Sequence, residues 1–164
     1  MKLADNPLLK PYIREPAILD ANILLLHWCA SFDPGLINSF KRLNSFERDD
    51  LDLLAEILKL FSALRTTPHV LTEVSNLANS LPQWRKDGWA KHFSRQIEVI
   101  PEEWIEAKSV ASNPLMTLGL TDVILAELAS SHVVLTIDWP LTNRMESMGL
   151  KVINFTRLRE NWLP

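Results

Sequence analysis

Residues 17–31 read AILDANILLLHWCAS, and a single aspartate, Asp20, interrupts an otherwise apolar passage. AILD follows Pro16 and is too short for a helix, whereas residues 22–31 are apolar in nearly every direction. That is the pattern of a buried strand passing directly into a buried helix. The strongest second strand is HVVLTID (132–138), whose β-branched run favours extended backbone, and it too ends on an aspartate, Asp138.

Working outward, Leu51, Leu54, Leu58 and Phe61 recur at spacings of three and four, with Asp52, Glu56 and Lys59 on the other side, which predicts a helix over 49–64. Asp33-Pro34 signals a helix over 34–43. In TTPHVLTEVSNLANSLPQW (66–84), Pro68 favours an extended approach, HVL reads as a minimal strand, and Thr72 caps a helix through Asn79. A further helix follows over 83–96, then a strand at IEVI (97–100) and helices over 101–112 and 120–131. A helix over 140–148 stops at Gly149, and KVINF (151–155) is the last strand. Strands separated by helices predict an α/β protein, a three-layer α/β/α sandwich on a central, mostly parallel sheet. No repeat or linker divides it, so one domain over 1–164 is expected.

Composition narrows the classes. Hydrophobic residues make up 47% and charged residues 23%, the profile of a soluble globular protein. The opening MKLADNPLLKPYIREP lacks the apolar centre of a secretory signal, and no run of 18 apolar residues occurs, so a cytoplasmic protein without a membrane segment is expected. The single Cys29 excludes a disulfide framework within the chain and reads as core. The four histidines lack zinc-site spacing, and no dinucleotide, P-loop, serine-hydrolase or EF-hand motif is present.

The carboxylates carry more information. Open parallel sheets bind ligands at the carboxyl ends of their strands. Asp20 and Asp138 stand at strand ends, and Asp122 and Glu73 stand in the first turns of predicted helices. Taken singly, each has a structural reading as a cap or a helix-dipole partner. Gathered on one edge, four carboxylates would repel unless a divalent cation neutralised them, and Mg²⁺ and Mn²⁺ take such oxygen ligands. A metal-dependent phosphodiester hydrolase follows as the expectation.

AILDANILL, TPHVLTEVSNL, GLTDVILAELA and VVLTIDWPL, in that order, resemble the four acidic blocks of the PIN-domain ribonucleases. The resemblance covers about residues 17–155 and implies an acidic pocket binding one or two Mg²⁺ or Mn²⁺ ions. By motif, the catalytic and metal-binding acids carry over to Asp20, Glu73, Asp122 and Asp138, with Asn22, Thr121 and Thr136 as polar supports. It also implies endoribonuclease activity leaving a 3′-hydroxyl and a 5′-phosphate. A toxin role with an antitoxin partner, and a homodimer, are further family traits. The chain departs from the family in the helical material over 34–65 and in WPL after Asp138. The alternative is a non-catalytic PIN-like module that binds protein or RNA.

An acidic chain suits an RNA substrate once the four acids are set aside, because the net charge of −3 then becomes +1. Candidate phosphate contacts are Lys41, Arg42, Arg85, Lys86, Lys91 and Arg95, with Trp84 and Trp89 available to stack on bases. For each of them a solvated or packed helix face is the competing reading.

Overall fold

The structure, a computed structural model, describes residues 2–162. Strands β1 (Pro16–Leu19), β2 (Ala63–Arg65), β3 (Val133–Thr136) and β4 (Val152–Asn154) form one all-parallel sheet in the order β2-β1-β3-β4. Ile18 lies opposite Arg65 on one side and Val134 on the other, and Leu135 lies opposite Ile153. Every residue of β3 is buried, which requires cover on both faces of the sheet. Seven α-helices among the described residues complete the three-layer α/β/α sandwich: α1 (Ala21–Phe32), α2 (Arg48–Leu58), α3 (Pro68–Ala78), α4 (Gln83–Val99), α5 (Leu120–Leu128), α6 (Trp139–Ser147) and α7 (Phe155–Glu160).

Helix α1 shows why its sequence is apolar all round. It leaves β1 without a loop and packs against α2, α3 and α4, so Ile23, Leu24, Leu25, Leu26, Trp28 and Cys29 are all buried. A helix with no polar side belongs inside the protein. The α2 stripe is shifted from the expected one: Leu54 is buried, but Leu51 and Leu58 are half-buried while Leu53 and Ile57 take the core positions, and the helix ends at Leu58, short of 64, because Ala63–Arg65 pairs as a strand.

Several elements differ from the sequence expectation. Residues 34–43 form two short 3₁₀ turns, Pro34–Asn38 and Lys41–Leu43, instead of one helix; Asp33 still caps the first, accepting from the Gly35 amide at 2.9 Å. HVL is helical, because α3 starts at Pro68 behind a Thr67 cap whose hydroxyl oxygen accepts from the Val70 amide at 3.1 Å. IEVI belongs to α4, whose Trp89, Phe93 and Ile97 repeat every four residues; Phe93 meets Trp28 of α1 edge-on at 5.5 Å. Residues 101–106 are extended. Their backbone runs beside the end of β2, with the Thr66 amide donating to the Pro101 carbonyl at 3.1 Å and the Glu103 amide donating to the Thr66 carbonyl at 2.7 Å. Of the helix expected over 101–112, only a 3₁₀ turn at Ala107–Val110 exists. Strand β2 went unread, since an edge strand with exposed Ala63 and half-buried Leu64 and Arg65 carries little apolar signal. Among the described residues, no helix is long and apolar enough to cross a membrane.

Candidate metal centre

The strand order 2-1-3-4 puts the topological switch point between β1 and β3, where a parallel sheet opens a crevice at its carboxyl edge. Asp20 follows the last residue of β1. Its amide continues the ladder by donating to the Leu135 carbonyl at 2.9 Å. Its side chain turns into the first turn of α1, where Oδ1 accepts from the Ala21 amide at 2.6 Å. Oδ2 accepts from the Thr136 hydroxyl of β3 at 2.7 Å, a bond that spans the switch point. Thr136 also accepts from the Asp138 amide at 3.0 Å, so one buried hydroxyl fixes both strand-end aspartates.

Asp138 is exposed and caps α6, with Oδ1 accepting from the Leu141 amide at 2.7 Å and Oδ2 left free. Asp122 is half-buried in the first turn of α5. Gly119 precedes that turn with φ +132°, a conformation that L side chains rarely adopt, and a Cβ there would stand 3.5 Å from Asp122 Oδ2. Glu73 is not in a first turn. Because α3 begins at Pro68, Glu73 lies beyond its first turn, and the expected cap Thr72 instead donates to the Pro68 carbonyl at 2.8 Å. What positions Glu73 is Thr121, whose hydroxyl donates to Glu73 Oε1 and ties α3 to α5. Asn22 lies half-buried in the first turn of α1.

The electrostatics join these residues. Burial pushes the Asp20 carboxyl above its ordinary value; the bonds from Thr136 and Ala21 oppose the rise, and the charges of Glu73 and Asp138 add to it. Burial also pushes the Asp122 carboxyl up to about 7, with Asp20, Asp138 and Glu73 each adding to the shift. Asp20 thus feels Glu73 and Asp138, and Asp122 feels the other three, although the four come from separate stretches of the chain. None of the ion pairs among the described residues includes any of them. The group is thus a concentration of negative charge with no cation supplied by the protein.

This donor set suits a hard divalent ion: oxygen ligands only, with Asp20, Asp138 and Glu73 each held through one or both oxygens, and no neutralising side chain among the described residues. It is not a closed cage. No three His, Cys, Asp or Glu side chains among the described residues stand together as a ready-made metal site.

The candidate RNA contacts are dispersed. Arg85 is engaged, paired with Asp33 and lying 4.4 Å over the Trp84 ring. Arg42 donates to Ser80 at 3.4 Å, and Lys41 stands in the same 3₁₀ turn. Lys86, Lys91 and Arg95 lie on α4, where Lys86 lines a small cleft with Ser75 and Asn79, apart from the acids. Trp89 is corrected from stacking platform to core: it is 6% exposed and packs edge-on against Phe32. Cys29 is core, its thiol pushed up to about 12 by burial.

One residue beside the acids was missed. Trp104 is 75% exposed and lines a cleft of about 360 Å³ with Pro68, His69, Thr72, Glu73 and Thr121. Its segment reads as an amphipathic helix, and only Pro101 hinted that the chain would run extended. Compared with protein-family models, curated proteins and solved structures, the chain matches none.

Proposed function

We propose that the protein is a divalent-cation-dependent phosphodiester hydrolase that cleaves RNA. One observation carries the reading: at the switch point of a parallel sheet, burial and the charges of acids from distant parts of the chain push the Asp20 and Asp122 carboxyls up, and among the described residues no lysine or arginine is paired with Asp20, Glu73, Asp122 or Asp138. Holding such a group uncompensated is unfavourable, and a divalent cation offsets it.

Asp20 and Asp122 are the direct ligands in this reading, and Asp138 and Glu73 complete the set with their free oxygens. Mg²⁺ or Mn²⁺ bound there supplies Lewis-acid chemistry, activating a water and neutralising charge on the phosphate. The chain's own task is orientation. Thr136 fixes Asp20 Oδ2 and the backbone of Asp138, and Thr121 fixes Glu73, so the carboxylates meet an ion with defined geometry.

The alternative is a non-catalytic PIN-like interaction module. Incubating purified protein with mixed RNA and Mn²⁺ separates the two. The hydrolase reading expects cleavage that EDTA abolishes and that Asp20→Asn and Asp122→Asn each reduce by more than about 100-fold, with unchanged circular dichroism. Absence of Mn²⁺-dependent cleavage, or equal cleavage by wild type and both variants, overturns it.

A further inference from the structure

The cleft beside the acids is built around a side chain that folding leaves unused. Trp104 exposes 75% of its surface, although an indole is among the most favourable groups to bury. Looseness does not account for this exposure. On one side the Glu103 amide is bonded to the Thr66 carbonyl at 2.7 Å, and the Glu103 carboxylate lies 3.2 Å from Arg65 and 3.4 Å from His132. On the other side Ile105 packs against the core. An anchored backbone thus presents a bare aromatic face.

The surroundings say what that face suits. The cleft's other lining residues are Pro68, His69, Thr72, Glu73 and Thr121, and its volume of about 360 Å³ falls at the small end of the roughly 300–1,000 Å³ usual for ligand clefts. Neither lysine nor arginine lines it, so it holds no permanent cation for a phosphate. Its lining sets the exposed indole and Pro68 beside the hydroxyls of Thr72 and Thr121, and its carboxylate is Glu73, a member of the acidic group. That distribution is complementary to an uncharged planar ring attached to something that the acidic group holds through a cation.

Resting on the hydrolase reading, we infer that Trp104 is a specificity-determining residue on which one unpaired base of the substrate stacks while the adjoining phosphate reaches the cation site. Trp104 thereby sets a requirement for an unpaired base beside the scissile phosphate. In a duplex both faces of each base are already stacked, so the indole gains nothing from it.

The test uses the full chain with Mn²⁺ and a short phosphorothioate RNA, which slows hydrolysis, presented single-stranded or annealed to its complement. Fluorescence anisotropy gives affinity, and the ordinary phosphodiester RNA gives kcat and KM. Trp104→Ala is expected to weaken single-strand binding about tenfold and to raise KM by a similar factor with kcat preserved; duplex affinity stays unchanged. Trp104→Phe, which keeps an aromatic face, is expected to restore most of the loss. Single-strand affinity and KM unmoved by Trp104→Ala, or wild type binding duplex as tightly as single strand, overturns the inference. Tryptophan-dependent binding without any cleavage supports the stacking role and overturns the hydrolase reading alone.

Discussion

Two buried aspartates in this protein have opposite neighbourhoods. Asp50, in α2, is fully buried, and its Oδ2 accepts from the Arg159 guanidinium of α7 at 2.9 Å and from the Glu47 amide at 2.8 Å. Asp20, 6% exposed, has hydrogen bonds too, but the charges acting on it are Glu73 and Asp138. The fold therefore has the means to neutralise a buried acid with its own arginine, and it does so at one place and not at the other. The difference marks the first as architecture, and on the proposed hydrolase reading the second is a place for a cation from solution.

The comparison breaks most readily at Arg159. Arg159→Ala leaves Asp50 buried without its cation, and urea denaturation should show a loss of about 3–5 kcal/mol. Asp20→Asn removes a charge from a repelling group, so its stability should equal or exceed wild type; a loss as large as that of Arg159→Ala would falsify the distinction. Next in size is Thr136→Val, which deletes the hydroxyl that holds Asp20 and the Asp138 backbone. Calorimetric titration should show Mn²⁺ affinity falling by about 10–100-fold.

The smallest expected effect is on pH dependence. The Asp122 carboxyl has its folded-state value raised from 3.8 to about 7, so between those limits the folded chain binds more protons than the unfolded one. Stability without added metal should then fall as pH rises from about 4 to 7, by about 1 kcal/mol once solvent screening of this half-exposed group is discounted. Asp122→Asn should flatten that slope, and added Mn²⁺ should stabilise more above pH 7 than at pH 5, because ligands must be deprotonated. A wild-type profile that rises across this window would remove the electrostatic premise.

How much of this was legible depended on how far apart the deciding residues lie. The β1–α1 passage could be read because burial on all sides leaves an unbroken apolar run, and Asp20 stood out against it. The end of α6 could be read because Gly149, with φ +69°, is a local signal. The start of α3 was misplaced despite a legible cue, Thr67-Pro68 being a cap followed by a first-turn proline. Edge strand β2 is short and half-exposed, so periodicity had nothing to register. In the candidate site, residue types were readable but their support was not: the bonds from Thr136 to Asp20 and from Thr121 to Glu73 join residues 116 and 48 positions apart. The exposure of Trp104 follows from the backbone bonds between Thr66 and the 101–103 stretch, another partnership that no local window contains.

The strand order has a consequence for biosynthesis. β1 has its central neighbour, β3, only after more than a hundred further residues have been made, and Asp138 comes later still. The acidic edge cannot close until the chain beyond Asp138 has left the ribosome, because contacts between such distant segments form late. A ribosome whose nascent chain has not reached that point thus holds an incomplete site.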